Sequence, residues 1–223
     1  MAANNWTKLD RLDMRRYLGP ADVCFYYLIY TPRAGYSYSE ANDIVINYKI
    51  PIGTENGLRA KPAREHFKNQ AIAYYANAIE GFLRAKHLKS SGKPLSTLES
   101  AVGLVPMPPS MCPNDSDYGD RNVRTCELIA NSIGCKVCRD IETVRTSFPS
   151  HSGGPRSPEE LQPTLGRVGH EADDCALVFL VDDVLSSGAH YTAAKSLLAR
   201  TGCQAQVIGL FLALAAGQSM PTM

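Results

Sequence analysis

Residues 178–190 read VFLVDDVLSSGAH. Apolar, β-favouring residues lead into two adjacent carboxylates, Asp182 and Asp183, and a Ser-Ser-Gly-Ala turn then opens a helical stretch, His190 to Arg200. The run from Ala176 to Val181 has no polar alternation, the pattern of a strand covered on both faces of a parallel sheet. A strand ending there puts both acids at the carboxyl edge of the sheet, where open α/β sheets take their ligands. The turn and the start of the helix supply backbone N–H groups and the positive end of the helix dipole, which together suit a phosphate. Ser186 and Ser187 add hydroxyl donors, Gly188 permits close backbone approach, and Ala189 and His190 complete the turn. The acids repel phosphate but accept from hydroxyl groups, so the stretch as a whole fits a sugar phosphate.

Working outward, an apolar strand is expected over Gln206 to Leu214. Upstream, residues 63–88 carry the clearest helical period, with Phe67, Ala71, Tyr74, Tyr75, Ala78, Ile79 and Phe82 on one stripe and Lys68 off it. Ala101 to Pro106 reads as a short strand, 107–121 as a loop, Val123 to Ile133 as a helix stopped by Gly134, and Cys135 to Ile141 as a strand. Residues 145–170 are long for a connection and low in apolar periodicity, as lids often are. Arg145, His151, Arg156 and Arg167 are their basic residues, and Gly153-Gly154 is a candidate hinge. Alternation of helix and strand from residue 63 onward implies a parallel sheet flanked by helices. Residues 1–62 stand outside that rhythm and are expected to form an N-terminal hood on a core of 63–223. Within them, 1–20 is helix-compatible, Val23 to Tyr30 has strand character, Asp43 to Ile50 is helical or extended, and Pro51 to Pro62 reads as a connection, as does the polar segment Lys89 to Leu98.

The segment 178–190 resembles the phosphoribosyl-diphosphate (PRPP) signature of the type I phosphoribosyltransferases. The resemblance implies that Asp182 and Asp183 hold the ribose hydroxyls and that Ser186, Ser187, Gly188, Ala189 and His190 hold the 5-phosphate. His190 stands where the family usually has Thr. A second stretch is similar to the ComF-like, competence-associated branch: Val105 to Ser110 (VPMPPS) after a strand, then YGDRNVRTCELIA over 118–130. By that resemblance Met107, Pro108 and Pro109 face the diphosphate, and Arg121 and Arg124 supply charge-assisted donors to it. The likeness spans 63–214 in the order of elements, and 102–130 and 176–190 at the level of motifs. Members of that branch often begin with a cysteine-rich metal knuckle, which this chain lacks.

The resemblance implies PRPP-dependent phosphoribosyl transfer to a nucleobase-like nitrogen acceptor with release of diphosphate, and magnesium held by the substrate's diphosphate oxygens. It leaves open a non-catalytic PRPP or nucleotide sensor and a DNA-uptake or DNA-processing accessory protein, since fold alone does not imply turnover. The expected partners are PRPP and an acceptor the sequence does not identify; a homodimer is open. With 23 basic and 22 acidic side chains among 223 residues, the net charge of +1 gives no support to nucleic-acid binding by bulk charge. No stretch approaches the roughly 18–20 apolar residues of a membrane span, and no signal-peptide pattern opens the sequence. Seven cysteines, an odd number in a chain able to bury a core, favour a reducing compartment and hence the cytoplasm. Cys135 and Cys138 form a CxxC pair, but positions i and i+3 of a strand face opposite sides, so buried structural thiols are expected there. His66, His87 and His170 have no ligand spacing. Trp6 and the tyrosines at 26, 27, 36 and 38 read either as lining for a base pocket or as the core of the hood.

Overall fold

The computed structural model describes residues 6–10, 15–50, 62–91, 101–147 and 157–217. The chain is an α/β protein built on a six-stranded, mostly parallel sheet with helices on both faces. Its strands are β1 (Thr7–Lys8), β2 (Val23–Tyr30), β3 (Val102–Pro106), β4 (Lys136–Val137), β7 (Leu177–Leu185) and β8 (Gln206–Ala215), in the order β1-β2-β8-β7-β3-β4. Only β1, on the edge, is antiparallel to its neighbour. A separate two-stranded ribbon pairs β5 (Ile141–Thr143) with β6 (Leu165–Arg167).

Strand periodicity sorts the core into two layers. On β7, Val178 and Leu180 point into one cluster, and Phe179 and Val181 into the other. The first layer is closed by α5 (Ala189–Arg200) through Tyr191, Ala194 and Leu198, with the short α4 (Pro158–Leu161) beside it. The second is closed by α1 (Glu40–Lys49), α2 (Pro62–Ser91) and α3 (Arg121–Ile133) through Val45, Tyr48, Ile72, Tyr75, Ile79 and Ile129. Gly134 ends α3 in the left-handed conformation, φ 74°, with its N–H on the carbonyl of Ala130, as a glycine after a helix does.

Several expectations are corrected. Residues 1–62 do not stand apart from the sheet: β2 pairs in parallel with β8 along its length, and α1 packs on α2. Within 1–20, Thr7–Lys8 is a strand, and no helix occurs among the described residues. Asp43–Ile50 is helical up to Lys49. On α2 the buried stripe starts at Lys68, which is 1% exposed, while Phe67 is half exposed. Leu128 on α3 also faces solvent. The strand expected over Cys135–Ile141 is the two-residue β4, followed by β5 in the ribbon. Of the long 145–170 segment, 157–167 is folded onto the body as α4, a 3-10 turn and β6. Arg167, expected as a basic lid residue, has its side chain only 5% exposed and paired with Asp140 and Asp173. The connections over 51–61 and 92–100, and His151, Gly153, Gly154 and Arg156, lie outside the described residues. No helix among the described residues is long and apolar enough to cross a membrane.

The connections fix where a ligand can sit. From β3 the chain passes through α3 on one face and moves outward to β4; from β7 it passes through α5 on the other face and moves the opposite way to β8. The winding therefore reverses between the adjacent strands β3 and β7. A crevice at the carboxyl end of that strand pair is the ligand position of open α/β sheets. At that end lie the Met107–Pro109 loop and the Asp182–Ala189 segment.

Candidate functional site

Asp182 and Asp183 were expected at a strand end, but β7 continues to Leu185 and both acids lie within it, Asp182 in register with Phe211 of β8. They are only 7% and 5% exposed, so their carboxylates need partners inside the protein. Asp183 receives Arg121 Nε at 3.0 Å and Nη2 at 2.5 Å on one oxygen, and Lys49 Nζ lies 3.5 Å from the other. Asp182 Oδ1 accepts from the backbone N–H of Asp183 at 2.8 Å and from Asn122 Nδ2 at 3.2 Å. Asn122 Nδ2 also donates to the carbonyl of Met107 at 2.8 Å, which ties the Met107–Pro109 loop to the acids. Beneath them the Tyr75 hydroxyl donates to the carbonyls of Asp182 and Leu210, at 2.9 and 2.8 Å.

The two carboxylates titrate apart. Burial pushes both upward. On Asp183 the charges of Lys49 and Arg121 outweigh burial and hold it well below the usual carboxylate range. Asp182 has burial and the charge of Asp183 against it, and these exceed the help from His190 and Arg121, so it is raised. Asp183 is thus the fixed negative charge of the crevice, and Asp182 is the member that takes a proton more readily.

The turn after β7 opens α5. Gly188 adopts φ 84°, and a Cβ there would stand 2.8 Å from the Leu18 side chain. Glycine is therefore required twice, for its backbone and for its size. The segment before β2 clamps this turn: Tyr17 N–H donates to the Ser187 carbonyl at 3.0 Å, and Thr192 Oγ1 donates to the Tyr17 carbonyl at 2.8 Å. Ser187 Oγ accepts weakly from Ala189 N–H, at 3.4 Å. The N–H groups of Ser186, Ser187 and Gly188 make no hydrogen bond to any described residue. With the helix start behind them, they are donors of the kind that suits an anion. His190, in the first turn of α5, lines a narrow recess together with Met107, Pro108 and Pro109.

The structure thus places Asp182, Asp183 and the Ser186–His190 turn at the carboxyl end of the β3–β7 strand pair, where Asn122 links Asp182 to the Met107 carbonyl and Arg121 pairs with Asp183. Arg124 is turned onto α2, where Nη2 donates to Asn69 Oδ1 at 2.7 Å. Sequence reasoning missed Lys49, Asn122 and the Tyr17–Leu18 clamp. Asn122 adjoins Arg121 inside the quoted motif, and Lys49 is the basic residue at the end of α1; the clamp had no sequence signal.

Trp6 belongs to the core: its Nε1 donates to the Ala78 carbonyl at 2.9 Å, and its ring packs on Phe82 and Tyr27. Tyr36 and Tyr38 are exposed. Cys135 and Cys138 are buried on opposite sides of the sheet, as strand geometry requires. Cys138 meets Cys175 over Gly103, and burial pushes both thiols up. No group of three or more metal-ligating side chains occurs among the described residues. His170 is exposed and pairs with Asp173.

The chain is thus an open α/β protein with a carboxylate pair and a helix-opening turn at the reversal point of its sheet. The chain matches no protein-family profile and no curated protein.

Proposed function

We propose that the protein binds PRPP in this crevice and transfers its phosphoribosyl group to a nitrogen acceptor. One observation carries the reading: three N–H groups with no partner among the described residues, just before α5, follow two acids by a few residues at the reversal point of the sheet. In this reading the cradle of Ser186 to Ala189, with His190 beside it, takes the 5-phosphate, and Asp182 and Asp183 take the ribose hydroxyls. Met107 to Pro109 border the diphosphate. The acceptor nitrogen forms a bond to C1 as the C1–oxygen bond breaks, the electron pair leaves with diphosphate, and the acceptor gives up a proton. The protein contributes orientation and charge stabilisation. Asp183 is already committed to Arg121 and Lys49, so in this scheme magnesium would be held by the substrate and would supply charge neutralisation for the leaving group.

A second reading, PRPP binding without turnover, is favoured by a separate observation. Arg121 is held by Asp183, and Arg124 is held by Asn69. Neither guanidinium points at a leaving group. The two readings part experimentally. Calorimetry with PRPP and magnesium gives heat under both, and its absence on folded protein refutes both. Diphosphate release that depends on an added nucleobase supports transfer. Tight binding without release under any base supports the binder.

A further inference from the structure

Asn122, the second residue of α3, is 4% exposed, so its amide has to find its partners inside the protein. Nδ2 donates to the Met107 carbonyl and to Asp182 Oδ1, and Oδ1 lies 2.9 Å from the Tyr48 hydroxyl. A carbonyl only accepts, so the nitrogen must face Met107 and the amide stands one way round. Its oxygen can then only accept, and the single phenol hydrogen of Tyr48 is spent on it. Thr125 Oγ1 stands 2.8 Å from the phenol oxygen and 2.9 Å from the Arg121 carbonyl, and shares its one hydrogen between them. Tyr48 is fully buried, and burial pushes its phenol well up, so it remains a donor throughout the neutral range. The direction of the bonds from Tyr48 through Asn122 is thereby fixed, and they end on Asp182.

The two oxygens of Asp182 are not alike. Oδ1 has both lone pairs taken, by Asn122 Nδ2 and by the Asp183 N–H. Oδ2 makes no hydrogen bond to any described residue, yet it is not sealed from solvent. A nearly buried carboxylate thus keeps one unspent acceptor open to a ligand. A hydroxyl donor and a proton compete for that oxygen. Donation from Asn122 favours the charged form and so works against the proton. The titratable and charged groups around Asp182 are Asp183 beside it, Arg121 on α3, His190 on α5, Tyr75 on α2 and, one step removed, Tyr48 and Lys49 on α1. A change at Asn122 alone alters none of them.

We infer that Asn122 is a positioning residue: pinned by Tyr48, it fixes the Asp182 carboxylate with Oδ2 free for a ligand's hydroxyl and couples that acid to the Met107–Pro109 loop. The inference rests on the PRPP reading for its ligand. The test follows the Asp182 carboxyl carbon by NMR in the full chain, its signal assigned by its loss in Asp182→Asn, beside calorimetry with PRPP and magnesium across pH. Asn122→Leu keeps the volume and removes the donor. It raises the Asp182 midpoint by about one pH unit, and the pH at which PRPP affinity is half lost moves up with it. Tyr48→Phe keeps the ring, frees the amide, and shifts the midpoint the same way by less. Thr143→Val is the control: Thr143 Oγ1 holds the same loop by donating to the Pro109 carbonyl at 2.5 Å, so its loss loosens the loop and leaves the midpoint where it was. Melting curves check that the variants fold; if Asn122→Leu does not, Tyr48→Phe decides alone. A midpoint that stays put in the folded variants, that moves as far in Thr143→Val, or that moves while PRPP binds with the parent's pH dependence overturns the proposal. A midpoint that moves as expected in a protein giving no heat with PRPP keeps the positioning role and removes the PRPP reading.

Discussion

Replacing Arg121 by Ala tests the electrostatics of the crevice directly. Arg121 and Asp183 are held by two short hydrogen bonds, with side chains 17% and 8% exposed. Removing one partner of a buried pair strands the other, at ~3–5 kcal/mol. Lys49 remains at 3.5 Å and is itself 44% exposed, so it compensates weakly. The lower part of that range applies, and Arg121→Ala is expected to cost about 3 kcal/mol at pH 7 in urea unfolding. The pH dependence gives a sharper test. In the parent protein the folded-state pKa of Asp183 is depressed, so its contribution is present above the unfolded value of about 3.9 and is lost as pH falls through the lower folded value. In the variant, burial dominates and Asp183 takes up a proton at a higher pH, which relieves the stranded charge. The gap between parent and variant therefore narrows towards about 1 kcal/mol by pH 3. Replacing both partners, Arg121→Met with Asp183→Leu, recovers most of the loss, because no buried charge is left alone. A cost below about 1 kcal/mol at pH 7, or a gap that does not change with pH, would falsify this account.

Lys68 is buried, donates to the Ile50 carbonyl at 3.0 Å and has no carboxylate partner among the described residues. Burial, then the neighbouring charges of Arg121 and Arg124, lower its pKa from 10.5 to about 8. The folded state thus binds fewer protons than the unfolded state between those values, and stability rises with pH across that window. Lys68→Met is expected to stabilise the protein by about 1–2 kcal/mol at pH 7, after allowing for the lost hydrogen bond, with the gain fading by pH 10; a variant less stable at both pH values contradicts this. Gly188→Ala should cost about 1–3 kcal/mol from backbone strain and crowding by Leu18, and adding Leu18→Ala should return part of it; complete rescue would show that φ at 188 carries no strain. Of the seven thiols only Cys112 is not buried, so a thiol reagent should titrate one equivalent rapidly in the native protein and all seven in urea, and prompt labelling of Cys138 or Cys175 would contradict their placement.

What the sequence made legible followed from continuity of pattern. The unbroken apolar runs of β3, β7 and β8, and the turn before α5, each state their conformation locally. Long-range pairing is not written that way. Val23–Tyr30 reads as a strand, but nothing in it says that its neighbour is β8, and sequence alone leaves it in a hood. The α2 stripe was read from Phe67 because hydropathy ranks Phe above Lys; the helix turns Lys68 inward, where its stem packs and its ammonium reaches a carbonyl. β6 has three residues and no period to detect. The site showed the same division. Acids, turn and Pro-rich loop were legible because each is contiguous. Which cation would meet which acid was not, because Arg121 comes to Asp183 only when α3 is packed on the sheet.

That pairing bears on the order of events in the crevice. Two ribose hydroxyls offer neutral donors, worth about 0.5–1.5 kcal/mol each, whereas Arg121 holds Asp183 with charge-assisted bonds worth about 1.5–3 kcal/mol each. Hydroxyls alone therefore do not displace Arg121. A ligand that also brings an anion to the same place gives the guanidinium a second partner, and the exchange becomes nearly even. A pentose carrying phosphate at C5 only leaves Arg121 where it is and contacts mainly the cradle and Asp182. On the proposed reading PRPP, with its diphosphate at C1, would draw Arg121 off Asp183 and open both acids. PRPP should consequently bind at least tenfold tighter than ribose 5-phosphate, and the difference should collapse in Arg121→Ala, where nothing has to be displaced. Equal affinities in the parent protein would mean that the Arg121–Asp183 pair is no part of the ligand's path.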